Sequence, residues 1–217
     1  LNIITILIKL FLYMGDLRDI LKNKKICKSI WFMRQAGRYL PEFRKIRSKN
    51  KNFINLCLDS ELSSEITLQP IKKFNLDSAI IFSDILIVPF ALGQEVKFIA
   101  GKSPKLSNFV TRDFFNNNEK EFTRKLKPVY KAIKITRQKL DKNKSLISFI
   151  GAPWTLLTYM FNLNRQKIHQ NLLELEKNKD LDHIIEVLIK YLNLHIKNQV
   201  DAGADVVQIF DSWAGLI

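Results

Sequence analysis

The sequence is poor in cysteine, which excludes a disulfide-stabilised scaffold. Cys27 and Cys57 are its only cysteines, too few for a disulfide framework, and a reducing cytoplasm is the simplest interpretation. The three histidines, His169, His183 and His195, show no metal-ligand spacing. We therefore predict that the protein has no metal site, and we interpret each histidine as an ordinary residue of a helix surface or interface.

The sequence also lacks glycine-rich phosphate-binding loops and long apolar runs. No Gly-x-Gly-x-x-Gly and no Walker loop follows a predicted strand, so nucleotide binding has no support. Residues 1–13 are apolar, but this run is too short to span a bilayer and Lys9 interrupts it. It also has no signal-peptide cleavage site. We predict that Met14 starts the natural protein and that residues 1–13 are a non-native upstream extension, with a membrane anchor as the alternative.

The sequence is strongly basic, with a formal net charge of +14 and an isoelectric point near 9.8. Its 35 basic residues comprise 26 lysines and 9 arginines, and the lysines are spread along the whole length. No zinc-finger spacing or RNA-binding aromatic motif accompanies them. We predict no nucleic-acid partner and no membrane partner. A basic nucleic-acid-binding protein is an alternative that the salt dependence of DNA binding would test.

Short apolar runs alternate with amphipathic helical patterns along the sequence. We predict strands at residues 29–33, 78–82, 145–150 and 206–210. We predict helices at residues 39–47, 60–74, 128–140, 155–161 and 180–200, a small hairpin near residues 96–99, and a polar loop at residues 111–118. This alternation predicts an α/β fold with a parallel sheet. Two architectures are compatible with it: an open doubly wound sheet, or the first half of a (β/α)8 barrel formed by residues 14–217.

Polar side chains or glycine follow each predicted strand. The residues at these four positions are Arg34, Asp84, Gly151 and Ser212. Because the carboxyl ends of parallel strands meet at one edge of a sheet, we expect Arg34, Arg38, Asp84 and Ser212 to converge there.

Four of the nine arginines lie between residues 34 and 47. Arg34 and Arg38 flank Gly37 in a turn, and a guanidinium group presents a planar fork of donors that matches a carboxylate or a phosphate. We therefore predict that both bind an anion. Arg44 and Arg47 are explained equally well as solvated residues of a helix start.

Four separated segments resemble one protein family. They are residues 33–42 (MRQAGRYLPE), 80–88 (IIFSDILIV), 151–160 (GAPWTLLTYM) and 202–215 (AGADVVQIFDSWAG). In order and spacing they are similar to the N-terminal part of the uroporphyrinogen decarboxylase family, whose members are longer, form a complete (β/α)8 barrel and assemble as homodimers. The alternatives are a zinc-dependent methyltransferase of the same superfamily and an inactive truncated fragment.

The resemblance implies a reaction that needs neither a metal nor an organic cofactor. In the cytoplasm, the family removes four acetate carboxyl groups from uroporphyrinogen III as carbon dioxide, which gives coproporphyrinogen III for heme biosynthesis. By resemblance, Asp84 accepts hydrogen bonds from the pyrrole N–H groups and stabilises a cationic ring, and Arg34 lies near the reacting group. The resemblance also implies the substrate-binding residues Arg34, Gln35, Ala36, Gly37, Arg38, Asp84, Phe149, Tyr159 and Ser212.

Three of these residues also have a purely structural interpretation when each is taken alone. Asp84 fits the N-cap of a helix as well as it fits a catalytic carboxylate. Tyr159 fits a packed helix residue, and Ser212 fits a cap. Their joint occurrence after successive strands favours the functional interpretation.

Overall fold

A computed structural model of the protein describes residues 17–23, 32–33, 35–99, 103–163, 170, 173 and 175–216. Residues 1–13, Arg34 and residues 29–31 of the first predicted strand lie outside the described residues. Phe32 and Met33 are described, and neither lies in a strand. Their side chains are 59% and 56% exposed, so the prediction of a buried strand is wrong at these two residues.

Strands and helices alternate along the described residues. The strands are β1 (Ser78–Ile80), β2 (Val96–Lys97), β3 (Lys105–Leu106), β4 (Ser145–Gly151) and β5 (Val206–Phe210). The helices are α1 (Leu17–Asn23), α2 (Pro41–Lys49), α3 (Phe53–Cys57), α4 (Ser60–Phe74), α5 (Ile87–Ala91), α6 (Thr111–Phe115), α7 (Glu119–Lys139), α8 (Pro153–Met160) and α9 (Leu181–Asp201). A short 3-10 helix follows at Ala214–Leu216.

The larger sheet is parallel and has the order β1-β4-β5. Ser78 pairs with Ser145 at the start of β1, and Gly151 pairs with Phe210 at the end of β4 and β5. The three predicted strands at residues 78–82, 145–150 and 206–210 are thus confirmed to within two residues. The α/β fold with parallel strands is confirmed. The short strands β2 and β3 form the predicted hairpin, which is antiparallel.

Helix α4 illustrates how local chemistry sets the helix ends. The Asp59 carboxylate oxygen Oδ1 accepts the N–H groups of Glu61 and Leu62 at 3.1 and 3.0 Å, which is an N-cap interaction. At the other end Asn75 adopts a left-handed conformation with a φ of 47°, which stops the helix.

Two predictions are wrong in the region between the hairpin and β4, one of a loop and one of a helix start. Residues 111–118 were predicted to be a polar loop, but α6 lies at Thr111–Phe115 because Phe114 anchors it in the core at 3% exposure. Pro128 was predicted in the first turn of a helix, but it lies inside α7. That helix starts earlier because the Asn118 side chain caps it, accepting the Glu121 N–H at 2.9 Å.

The core lies between the parallel sheet and the helices α4, α7 and α9. Helices α4 and α7 meet through buried hydroxyl groups, with Thr136 Oγ1 lying 3.0 Å from Ser64 Oγ. His195 of α9 is buried against α7, with its Nδ1 atom 3.0 Å from the Tyr130 hydroxyl. Burial lowers the pKa of His195 to about 3, so this histidine is a neutral packing residue. His183 is exposed, and His169 lies outside the described residues.

Candidate active site

A cavity of about 520 Å³ opens at the carboxyl ends of β1, β4 and β5. Its wall contains residues from all three strand ends and from the turn before α2. The predicted site residues that line it are Gln35, Ala36, Asp84, Phe149, Tyr159 and Ser212. Gly37 and the exposed Arg38 lie in the adjacent turn without lining the cavity. Arg34 lies outside the described residues.

Asp84 is the one acidic residue of the chain that lines this cavity within the described part. It lies between β1 and α5, and its Oδ1 atom accepts the Leu86 N–H at 2.8 Å. Its other carboxylate oxygen has no hydrogen-bond partner among the described residues. Burial raises the pKa of Asp84 to about 6, against a smaller lowering by the Leu86 N–H. The carboxylate is therefore mainly ionised at neutral pH, and its second oxygen accepts no hydrogen bond from the described residues.

Asp84 fits the role of a helix N-cap only in part. The helix α5 starts at Ile87 and its N-cap residue is Leu86, so Asp84 precedes the cap by two residues. The carboxylate thus orders the turn in front of the short helix through one oxygen. Since the second oxygen has no hydrogen-bond partner among the described residues, this structural contact and a catalytic role do not exclude each other.

The Gln35 side chain pairs with the edge of β1 that faces away from β4. Its Nε2 atom donates to the Ser78 carbonyl at 2.7 Å, and its Oε1 atom accepts the Ile80 N–H at 3.1 Å. The side chain is 2% exposed. Because the amide group pairs with backbone as a neighbouring strand would, Gln35 attaches the turn that carries Ala36 and Arg38 to the sheet. The role of Gln35 in binding substrate stays a prediction.

The opposite wall is aromatic and comes from β4, α8 and β5. Phe149 and Phe210 pack edge to face with their ring centroids 5.6 Å apart. Tyr159 packs against Trp213 in the same manner at 6.1 Å. Thr155 connects this wall to the turn after β5, because its hydroxyl donates to Asp211 Oδ1 at 2.7 Å and accepts the Trp213 N–H at 3.2 Å.

Gly151 is required where β4 meets this wall. A Cβ atom at this position would lie 2.8 Å from the Leu156 side chain and 3.2 Å from the Ile85 Cβ atom. Glycine therefore lets the turn before α5 and the helix α8 approach the end of β4 closely.

Comparisons with known proteins identify the family of this chain. The sequence matches the family model for Uroporphyrinogen decarboxylase (URO-D) over residues 19–217. A uroporphyrinogen decarboxylase from Orientia tsutsugamushi is 45% identical over 196 residues, which are 87% of this chain and 55% of that protein. One from Mesorhizobium japonicum is 41% identical over 202 residues, which are 92% of this chain and 59% of that protein. The chain belongs to the uroporphyrinogen decarboxylase family.

These matches confirm the resemblance drawn from the four segments, and they also fix its extent. The chain spans 55% to 59% of the length of these two relatives. Among solved structures, a methyltransferase from Methanosarcina mazei superposes with a TM-score of 0.70 over 91% of this chain and 58% of that one. Its sequence identity of 17% supports similarity of the fold alone.

Some cavity residues of this family member were not predicted from its sequence. Ser83 and Ile85 lie in one of the four matching segments, so the signal was present but no role was assigned to them. The Ser83 hydroxyl is buried and has no hydrogen-bond partner among the described residues. Phe53 of α3 also lines the cavity, with its ring 5.7 Å from that of Phe82. Nothing in the local sequence distinguishes Phe53 from a core residue.

Two further observations concern groups that the sequence analysis considered. In the part of the chain that the structure describes, no group of three or more metal-ligating side chains occurs. Among the same residues, none of the helices has the length and apolar character needed to cross a membrane.

Proposed function

We propose that this chain provides the Asp84 side of a uroporphyrinogen decarboxylase site, which converts uroporphyrinogen III to coproporphyrinogen III. The observation that carries the proposal is the Asp84 carboxylate at the carboxyl end of β1. It faces a largely apolar cavity, one oxygen is held by a backbone N–H at 2.8 Å, and the other has no partner among the described residues.

The chemistry of the proposed substrate fits this carboxylate. A tetrapyrrole of this kind presents four inward N–H groups, and the free oxygen of Asp84 can accept hydrogen bonds from them. Protonation of the pyrrole carbon that bears an acetate group makes the ring cationic. The bond to the carboxyl carbon then breaks, its electrons neutralise the ring as an exocyclic methylene forms, and carbon dioxide leaves. A proton added to the methylene carbon and the loss of the proton from the ring carbon then give the methyl group of the product. A negative Asp84 stabilises the cation more than the neutral substrate, which is the condition for catalysis.

The other proposed roles follow from charge and position. Arg34 and Arg38 would bind acetate and propionate groups, together with the turn of Gln35, Ala36 and Gly37. Tyr159 and Ser212 would donate hydrogen bonds to substrate carboxylates, and Phe149 would form the wall. Arginine is a poor general acid because its pKa is above 12, so water and a substrate carboxyl group are alternatives to Arg34 as the proton donor.

We also propose that the sheet is the first part of a (β/α)8 barrel. In support of this, successive parallel strands lie side by side in the order β1-β4-β5, without the reversal that creates a switch point in doubly wound sheets. The remaining strands would correspond to the part of the relatives that this chain does not span. A homodimer and a cytoplasmic location are proposed on the family resemblance alone.

The experiment that tests the function uses Asp84→Asn, which keeps shape and removes charge. Parent and variant are compared as the 217-residue chain and after fusion to the remaining C-terminal part of the Orientia tsutsugamushi relative. We expect the chain by itself to be inactive or nearly so, and the fused protein to decarboxylate uroporphyrinogen. Asp84→Asn should lower kcat about 10²- to 10³-fold, or about 3–4 kcal/mol, and weaken substrate binding less.

The control is Asp59→Asn, which makes the same chemical change at the exposed N-cap of α4, where asparagine caps equally well. It should leave kcat unchanged. A fused Asp84→Asn protein that decarboxylates at the parental rate would contradict the proposed role of Asp84.

A further inference from the structure

The backbone that leads from β1 to Asp84 leaves the sheet one residue after the strand ends. The Ile81 N–H still donates to the Ile147 carbonyl of β4 at 2.9 Å. The peptide groups of Phe82 pair instead with two side chains of α4. The Phe82 N–H donates to Thr67 Oγ1 at 2.8 Å, and the Phe82 carbonyl accepts the Ser63 hydroxyl. Asp84 follows two residues later.

The direction of these hydrogen bonds is fixed by the helix itself. The Thr67 hydroxyl donates its single hydrogen to the Ser63 carbonyl at 2.7 Å, so its oxygen is left to accept from Phe82. Ser63 and Thr67 are 1% and 0% exposed, so water does not compete for these groups. The helix that carries them is 15 residues long and capped at both ends. Helix α4, a rigid element, therefore holds both the N–H and the carbonyl of Phe82.

We propose that Ser63 and Thr67 are positioning residues for Asp84: by holding the N–H and the carbonyl of Phe82, they direct the Asp84 carboxylate into the cavity. The inference rests on the proposed function, since it concerns the same carboxylate. A catalytic group must be held to within a fraction of an ångström, and a displacement of about 1 Å can cost 10²-fold in rate. The contact of Asp84 with Leu86 restrains the turn after it, and the α4 hydroxyls restrain the turn before it.

The competing explanation is that both hydroxyls merely satisfy buried backbone groups and contribute stability alone. The chain contains a matched pair for comparison. Ser64 and Thr136 are both 0% exposed, and their hydroxyls meet between α4 and α7, where neither lines the cavity. A purely structural role predicts that losing Thr67 or Thr136 has the same consequences. A positioning role predicts that only the loss of Thr67 changes the surroundings of Asp84.

The experiment follows the titration of Asp84 in the 217-residue chain by carbon-13 NMR of its side-chain carboxyl group, with Asp84→Asn identifying the signal. It needs no substrate, so its outcome does not depend on whether the chain takes part in decarboxylation. One titratable neighbour among the described residues is Cys57 of α3, whose pKa is raised well above its usual value, mainly by burial and next by the charge of Asp84. It therefore stays protonated over the range examined.

Three variants are compared with the parent. Thr67→Val removes the hydroxyl and keeps the shape, Thr67→Ser restores the hydroxyl, and Thr136→Val is the matched control. We expect Thr67→Val to lower the Asp84 titration midpoint by about one pH unit, because a carboxylate released from its held position gains water. Thr67→Ser should return the midpoint to the parental value, and Thr136→Val should not move it.

Two outcomes would overturn the proposal. One is an Asp84 midpoint that is the same in Thr67→Val as in the parent. The other is an equal shift in Thr67→Val and Thr136→Val. If Thr67→Val does not fold, Ser63→Ala removes the single hydrogen bond to the Phe82 carbonyl and is judged by the same criterion against Ser64→Ala.

Discussion

The two outer strands of the parallel sheet end in different surroundings. At β1 the Gln35 amide pairs with Ser78 and Ile80, and all three residues of the strand are buried. At β5 no strand of the described residues pairs with the free edge, and none of its five residues is fully buried. Ile209 is 53% exposed there.

This difference indicates which half of the candidate site the chain forms by itself. The β1 side, with Gln35, Asp84 and the α4 hydroxyls, has partners for its backbone groups within the chain. The β5 side, with Ser212, has an edge that no described strand pairs with, and proteins normally cover such an edge with a further element. The chain spans 55% to 59% of two relatives, and a further strand at β5 is what the proposed barrel requires.

The largest effect is expected from removing the side chain that pairs with β1. Gln35→Met keeps the approximate volume but leaves the Ser78 carbonyl and the Ile80 N–H unpaired and buried. We expect a loss of about 2–4 kcal/mol in the free energy of unfolding, because each orphaned group costs about 1–3 kcal/mol. The measurement is urea unfolding of the 217-residue chain followed by circular dichroism.

Gln208→Met on β5 is the matched control for this experiment. The Gln208 side chain is half-buried, and among the described residues it donates only to the carbonyl of its neighbour Ile209, at 2.7 Å. A change within about 0.5 kcal/mol is expected there. Equal losses in the two variants would mean that the β1 edge is no better paired than the β5 edge.

A smaller effect on the free energy of unfolding is expected from the charge of Asp84, which lies in the cavity on the β1 side. Burial raises the pKa of Asp84 from 3.8 to about 6. The folded state therefore disfavours the ionised form, and stability is lost as the pH rises from about 4 to about 6. Asp84→Asn carries no such penalty and should be more stable than the parent at pH 7.5, by up to about 2–3 kcal/mol.

The difference between variant and parent should shrink as the pH falls through 6 toward 4. His195 acts in the opposite direction, because its pKa of about 3 makes the folded state lose stability below its unfolded value of 6.5. Both proteins contain His195, so the comparison at each pH isolates Asp84. Urea unfolding at several pH values measures it, and a difference that does not vary with pH would argue against the burial of the carboxylate.

The sequence predicted those features of the sheet that depend on local signals, and it did not predict those that depend on contacts between residues far apart in the chain. The strands β1, β4 and β5 were predicted because apolar runs between turns are a local signal. Asp84 and Ser212 were predicted to converge because both follow strands. The start of α7 was predicted wrongly from Pro128, since proline usually marks a helix start, whereas here Asn118 caps the helix ten residues before Pro128.

The residues that hold the site together could not be predicted in the same way. Gln35 pairs with a backbone group 43 positions along the chain, and no periodicity reveals such a contact. Ser63 and Thr67 have the appearance of ordinary polar residues of an amphipathic helix. Their importance depends on the path of Phe82, which only the folded chain defines.

The smallest change in stability, and the most direct test of the open edge, is expected from Ile209→Lys. The side chain is already 53% exposed, so we expect the free energy of unfolding to change by no more than about 0.5 kcal/mol. The chain should nevertheless self-associate less, because lysine on an edge strand opposes pairing with another chain. Sedimentation velocity over a range of concentrations measures this. Val110→Lys is the control, since Val110 is 49% exposed but precedes α6 and lies in no strand. If both variants reduce association equally, general surface hydrophobicity rather than the open β5 edge is responsible.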